Sequence, residues 1–123
     1  LVALALALVA VPGVWLALPR AEKPPAPAEP IIVGVLHSQS GTMAVSENAV
    51  IDATLLALDE LNAAGGVLGR PVRALVRDGE SNGDTFARQA EQVLTGDRAA
   101  ALFGCWTSAS RKAVRPVVER YGG

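Results

Sequence analysis

The pattern of apolar and polar positions divides the chain into an apolar start, a proline-rich connection and a segment with alternating periodicities. The first 19 residues, LVALALALVAVPGVWLALP, carry no charge, and the stretch at 20–30 contains most of the prolines that follow them. From Ile31 onward, short apolar runs alternate with stretches in which apolar residues recur every three or four positions. This alternation predicts strands and helices in turn.

Three short apolar runs have the character of strands. IIVGVL (31–36) is continuous and rich in β-branched residues, which fits a strand buried on both faces. In VRALVRD (72–78) apolar positions alternate with longer or charged ones, so we expect a second strand nearer an edge of the sheet. AAALF (99–103) predicts a third strand, which ends at Gly104.

A first helix is predicted at 46–64. Ser46 and Glu47 provide its start signals, and it stops at the pair Gly65-Gly66. Its inner stripe, at helical spacing, consists of Ile51, Leu55, Leu58 and Leu61.

Two further helices follow the second and third strands. Asp84 or Thr85 serves as the cap of a helix that runs to about Leu94 and is closed by glycine. The inner stripe of this helix consists of Phe86, Ala90, Val93 and Leu94. Another helix starts at about Ser108 and bends at Pro116, because proline removes one hydrogen bond and crowds the preceding turn.

Strict alternation of strands and helices predicts an α/β fold. Right-handed crossovers place helices on both faces of a parallel sheet, and the simplest strand order is 2-1-3. Three strands form only part of a doubly wound sheet, so we interpret 31–123 as an incomplete domain.

The first 30 residues predict export. Residues 1–19 fit either a cleaved signal peptide or an uncleaved membrane anchor, since the apolar run is close to the minimum length for crossing a bilayer. Residues 20–30 predict an extended linker, because their prolines favour a polyproline backbone and they have few apolar groups to pack. A periplasmic or other extracytoplasmic location follows from both alternatives.

Composition excludes several classes of function. A net charge of −1 gives no bias toward nucleic acid, and no clustered ligand spacing predicts a metal site. His37 and Cys105 are the only residues of their types, and their positions would permit a thiol–imidazole pair. No third group is evident to orient such a pair, and a cysteine is more often a buried core residue. We therefore predict neither catalysis nor a cofactor.

Two hydroxyl-rich segments follow the first and third strands. In a doubly wound sheet, ligands lie outside the carboxyl ends of the strands. The segments that follow the ends of the first and third strands are HSQSGTMA (37–44) and GCWTSASR (104–111). Each segment leads into a helix whose free N–H groups can donate to a carbonyl or an anion. A small, neutral, hydrogen-bonding molecule would suit these segments. Trp106 offers a flat wall for a pocket, and a side chain that fills the core is its alternative interpretation. Turn and cap chemistry is the alternative explanation of the hydroxyls. The loop at 78–82 is interpreted as solvated, with the rim of a pocket as its alternative.

Three segments of the chain resemble a known family. VGVLHSQSGTMAVSE, LDELNAAGGVLGRPV and FGCWTSASRKAVRPVVERYGG are similar to the N-terminal lobe of type 1 periplasmic binding proteins of the leucine/isoleucine/valine-binding kind. The similarity covers 31–123 and is greatest to the branch that binds urea and short-chain amides. It implies that the ligand contacts Ser38, Thr42, Trp106, Thr107 and Ser108.

The resemblance also implies a function. Such a protein captures urea or a short-chain amide outside the cytoplasm and delivers it to the permease subunits of an ABC-type importer, with no metal or cofactor. A second lobe closes over the ligand in this family. The alternative is a ligand-sensing extracellular domain of a membrane-anchored signalling receptor for an amide or amino acid.

Overall fold

The computed structural model of the protein describes residues 28–121. The predicted leader at 1–19 and most of the predicted linker at 20–30 lie outside these residues. Strands and helices alternate as predicted, in the order β1 (Ile31–His37), α1 (Ala44–Ala63), β2 (Val72–Asp78), α2 (Gly83–Glu91), a π-helical turn (Gln92–Gly96), β3 (Ala101–Gly104) and α3 (Ser108–Arg120).

The three strands form one parallel sheet in the order β2-β1-β3, which confirms the predicted topology. In this register Ile31 pairs with Val72, and Val33 pairs with Ala101. The central strand β1 is buried from Val33 to its end, whereas most of β3 is exposed. Position in the sheet explains the difference, because β1 has a hydrogen-bonded neighbour on each side.

Helices cover both faces of the sheet. On one face α1 packs through Leu58 against Val33 and Val72. On the other face α2 and α3 share a core that consists of Leu36, Phe86, Ala90, Cys105, Val114 and Val117. Leu36 and Phe86 are almost wholly buried, and each such side chain stabilises the fold by about 1.5–3 kcal/mol relative to exposure. This core packs the carboxyl end of β1, at Leu36, against the first turn of α2, at Phe86.

The start of α1 differs from the prediction. The helix begins at Ala44, two residues before the predicted start, and no side chain caps it. Instead, the backbone N–H of Met43 donates to the hydroxyl of Ser81 at 3.0 Å, across 38 positions of the chain. A tertiary contact therefore anchors the residue that precedes α1, and Ser46 is an exposed residue of the first turn of this helix. Within the predicted inner stripe, Leu61 is exposed.

The other helices differ in detail. Asn82 caps α2, since its side-chain oxygen accepts from the N–H groups of Asp84 at 3.0 Å and Thr85 at 3.1 Å. The predicted caps are therefore wrong by two or three positions. The helical backbone widens to a π-helical turn before Gly96, and α3 continues as one helix through Pro116.

Candidate functional site

The loops that follow the three strands meet at one edge of the sheet. We name them the first loop (38–43), the second loop (79–82) and the third loop (105–107). The N–H of Gly79 donates to the carbonyl of His37 at 2.9 Å, and the N–H of Cys105 donates to the carbonyl of Leu36 at 3.0 Å. Parallel pairing thus places the second and third loops on either side of the end of β1, and it brings the two predicted binding segments, 37–44 and 104–111, next to each other.

Asp78, the last residue of β2, and the second loop hold the first loop in place. The carboxylate of Asp78 accepts from the N–H of Gln39 at 2.8 Å and from the hydroxyl of Ser40 at 2.7 Å. Ser81 donates its hydroxyl to the carbonyl of Ser40 at 3.0 Å, and its N–H donates to the hydroxyl of Ser38 at 3.0 Å. Glu80 and Asn82 of this segment are exposed, as predicted, and Ser81 also lines a small cavity, which is the alternative that the sequence left open. In addition, 78–82 organises the first loop.

The ionisation of Asp78 reflects these contacts. Burial by itself would raise the pKa of Asp78, but hydrogen bonds from the N–H of Glu80, the hydroxyl of Ser40 and two N–H groups of the first loop outweigh it. The net effect holds the pKa of Asp78 below its ordinary value of 3.8. The carboxylate is therefore the form that these donors stabilise.

A buried acidic residue at the start of α1 accepts a hydrogen bond from the backbone of the first loop. Glu47, in the first turn of α1, is 0% exposed. Its Oε2 accepts from the N–H of Ser38 at 2.8 Å and from Nδ1 of the buried His37 at 3.0 Å. The sequence pattern predicts Glu47 only as a start signal of the first helix. Its spacing of four and eleven from Ile51 and Leu58, the buried residues of α1, is the signal that places it on the inner stripe.

The third loop begins with an unusual backbone. Gly104 has φ +149, and a Cβ at this position would lie 1.9 Å from the carbonyl oxygen of Leu36, so only glycine fits. Cys105 follows with φ 64 and is buried. Burial, with a further contribution from the charge of Glu47, raises the pKa of Cys105 to about 11. The thiol is protonated at neutral pH, and Nδ1 of His37 contacts Glu47, which disfavours a thiol–imidazole pair.

The remaining candidates lie where the third loop enters α3. Thr107 caps α3, since its hydroxyl accepts from the N–H of Ser110 at 3.0 Å. Ser108 is exposed in the first helical turn, and its hydroxyl accepts from Nη2 of Arg111 at 3.3 Å. Trp106 is 52% exposed and presents much of its ring to solvent. Cap chemistry therefore accounts for Thr107, whereas the exposed surfaces of Trp106 and Ser108 are open to a ligand.

The five predicted ligand contacts do not share one cavity. Ser38 and Thr107 line a small cavity of about 60 Å³ beneath the loops. Trp106 lines an open concavity of about 440 Å³, with His37 and Phe103 on its wall. Ser108 lines a wide groove of about 670 Å³ beside β3, and Thr42 is exposed and borders none of these three. The structure thus places all five at the carboxyl edge of the sheet, in separate surroundings.

Two other features concern metals and membranes. Among residues 28–121, no group of three or more His, Cys, Asp or Glu side chains is arranged to hold a metal ion. Within the same residues, none of the helices combines the length and apolar character that crossing a bilayer requires. The predicted leader lies outside this part of the chain.

Residues 31–123 match the model of a family described as a periplasmic binding protein domain. Several solved structures are also similar. The isoleucine complex of LivJ, the substrate-binding protein of a branched-chain amino acid transporter from Streptococcus pneumoniae, is 28% identical with a TM-score of 0.75, covering 76% of this chain and 27% of that chain. An amino acid ABC transporter substrate-binding protein from Pseudomonas fluorescens Pf-5 is 31% identical with a TM-score of 0.71, covering 80% of this chain and 26% of that chain.

An ABC transporter substrate-binding protein from Sphaerobacter thermophilus is 29% identical with a TM-score of 0.69, covering 76% of this chain and 24% of that chain. The chain therefore spans about a quarter of the length of these proteins. The predicted fold, a parallel α/β sheet of order 2-1-3 as in the N-terminal lobe of a type 1 periplasmic binding protein, is confirmed.

Proposed function

We propose that this chain, which belongs to the periplasmic binding protein domain family, supplies part of an extracytoplasmic solute-binding protein for an ABC-type importer. The observation that carries the proposal is the meeting of the first and third loops at the carboxyl edge of the sheet, where ligands of such folds lie. The similar structures are named as substrate-binding proteins, which supports binding rather than catalysis as the role of this edge. The partners in this function are a small ligand and the permease subunits.

The ligand that we propose is urea or a short-chain amide. The half-exposed ring of Trp106 provides a flat apolar wall, and the exposed hydroxyl of Ser108 and the first N–H groups of α3 provide donors. Trp106 and Ser108 line two different concavities, and Arg111 lines both of them. A planar, neutral molecule with one carbonyl and one or two NH₂ groups would match this combination at the border between the two. Neutral donors at a helix start suit a carbonyl oxygen without requiring a compensating charge.

An amino acid is the second candidate ligand. One similar structure, LivJ from Streptococcus pneumoniae, was solved with isoleucine. In this chain, Nη2 of Arg111 lies 3.3 Å from the hydroxyl of Ser108, so a guanidinium and the start of α3 stand side by side. Together they would attract a carboxylate, which an amino acid has and an amide lacks.

We also propose export for the protein. The uncharged run at 1–19 supports either a signal peptide or an anchor, and the proline-rich 20–30 supports a linker to the folded domain that begins at Ile31. Both alternatives place the binding edge outside the cytoplasm.

Calorimetric titration of the full natural polypeptide with urea, acetamide and isoleucine tests the proposal. We expect binding of an amide, and Ser108→Ala should weaken it by roughly 1–3 kcal/mol because a polar group of the ligand loses its partner. Trp106→Ala should weaken it at least as much through lost packing.

Thr95→Ala is the matched control. Thr95 is exposed in the π-helical turn before β3, so it lies at the opposite edge of the sheet. Unchanged affinity in this variant, beside weakened binding in the other two, supports the site. Equal affinities in all three variants and the wild type would refute it. Binding of isoleucine but of neither amide would select the second candidate.

A further inference from the structure

Glu47 has one carboxylate oxygen with no hydrogen-bond partner. Oε2 accepts two hydrogen bonds, from Ser38 and His37, whereas Oε1 is buried and contacts no donor among the described residues. The Glu47 side chain is 1% exposed, so bulk water does not reach Oε1. An unsatisfied buried polar oxygen is costly, and most such oxygens in proteins have a hydrogen-bond partner.

The cavity that Glu47 lines offers a place for that donor. Its volume is about 60 Å³, and apolar contacts come from Met43 and Phe86. Its polar wall comes from hydroxyl side chains of the three strand ends and of α3, namely Ser38, Ser81, Thr107 and Ser110. A buried water needs about 10–15 Å³ and two to four polar partners, and this cavity satisfies both conditions.

The hydroxyls around the cavity have unused capacity. The hydroxyl of Ser38 accepts from the N–H of Ser81 at 3.0 Å, and its own proton has no acceptor among the described hydrogen bonds. The hydroxyls of Thr107 and Ser110 lie 2.9 Å apart at the start of α3, and the Ser110 hydroxyl donates to the carbonyl of Thr107 at 2.9 Å. Each of these two hydroxyl oxygens therefore keeps capacity as an acceptor. A molecule that both donates and accepts would fit between these hydroxyls and Oε1 of Glu47.

We propose that this cavity is a binding site for one or two ordered water molecules, which donate to Oε1 of Glu47 and bridge it to the hydroxyls at the start of α3. Glu47 would then position both halves of the proposed ligand edge. Through Oε2 it holds the first loop directly, and through water it supports the third loop at Thr107. The positioning role rests on the proposed function, whereas the water site does not.

The water site is tested by a high-resolution crystal structure of the full natural polypeptide, with water-to-amide NOEs measured in solution. The expected result is a water within hydrogen-bond distance of Oε1 and of a hydroxyl of Thr107 or Ser110, and an NOE from long-lived water to the N–H of Ser110. A dry cavity, or a direct contact between Oε1 and a protein donor, would overturn the site. Stability that rises with NaCl but not with choline chloride at equal ionic strength would also overturn it, since the occupant would then be a cation.

The positioning role is tested by two substitutions of Glu47. In Glu47→Gln the amide oxygen can keep the contacts with Ser38 and His37, while the NH₂ group meets a water that can accept as well as donate, so ligand affinity should stay within about twofold. Glu47→Leu removes both contacts and should weaken ligand binding on the order of 10-fold. Ser46→Ala, an exposed neighbour in the same turn, should change nothing.

The outcomes separate the two proposals. Equal ligand affinity in the wild type and in Glu47→Leu would overturn the positioning role. A loss of affinity in Glu47→Gln as large as that in Glu47→Leu would overturn it too. If the wild type binds no amide and no amino acid, the proposed function and the positioning role both fail, and the crystallographic and NOE results still decide the water site.

Discussion

Replacement of Asp78 by alanine should loosen the first loop and lower stability in a pH-dependent way. The carboxylate accepts hydrogen bonds from the N–H groups of Gln39 and Glu80, each at 2.8 Å, and from both the N–H and the hydroxyl of Ser40 at 3.3 and 2.7 Å. Asp78→Ala removes all four, so Gln39 and Ser40 lose the acceptor that fixes their backbone.

The size of the effect follows from the partial exposure of this cluster. A hydrogen bond to a charged group contributes about 1.5–3 kcal/mol where water is excluded. Gln39 and Ser40 are exposed, so water would replace much of what is lost. We therefore expect a decrease of about 2 kcal/mol in the free energy of unfolding at pH 7, well below the sum of four such bonds.

The pH dependence has a definite sign. The pKa of Asp78 is lower in the folded protein than its ordinary value of 3.8, so its contribution is fully present above that value and is lost as the pH falls through the lower, folded pKa. The difference between wild type and Asp78→Ala should therefore be constant near neutrality and shrink below about pH 4.

Guanidinium chloride denaturation from pH 7 to pH 3 measures this difference, and it avoids urea, which is a proposed ligand. Asp52→Ala, an exposed aspartate in the middle of α1, is the control and should be nearly neutral. A double-mutant cycle with Ser40→Ala should show coupling, because its hydroxyl bonds the same carboxylate. A difference that stays the same from pH 7 to pH 3 would refute the assignment of the stabilisation to the ionised carboxylate.

Two further predictions concern the start of the third loop. Gly104→Ala should destabilise the protein by at least about 3 kcal/mol, because the new Cβ would overlap the carbonyl of Leu36. Gly96→Ala is the control and should have a mild effect, since a Cβ there would lie 3.8 Å from the nearest side-chain atom, in Gln92. Similar denaturation midpoints for the two variants would contradict this prediction. Because the pKa of Cys105 is about 11, its thiol should react with iodoacetamide at pH 8 far more slowly in the folded protein than after denaturation. Equal reaction rates in the folded and the denatured protein would disprove this prediction.

Much of the fold could be predicted because it rests on local patterns. The apolar run that begins at Ile31 permits burial on both faces, as the central strand of a parallel sheet requires. The predicted boundaries of β2 agree with the structure, and Gly65 ends the region of α1 as expected. These features depend on side-chain periodicity and on the conformational freedom of glycine, both of which are visible in a short window of sequence.

The candidate site could be predicted only in outline. The rule that ligands lie at the carboxyl ends of strands directed attention to the first and third loops, and the structure brings these loops together. The same rule does not identify Ser81, whose hydroxyl contacts both Met43 and Ser40 across about 40 positions of the chain. Nor did it separate Thr107, which caps a helix, from Trp106, which is half exposed.

The sequence by itself determined the order and type of the elements and the edge at which a ligand would bind, because periodicity and connectivity are properties of the chain. Only the tertiary structure decided which polar groups hold that edge together. Asp78 reaches the first loop because β2 pairs with β1 in a register that sets it beside His37, and Glu47 meets Ser38 because α1 packs against the same strand. Such contacts require two distant segments to be fixed at once, since a hydrogen bond tolerates an error of only a few tenths of an ångström.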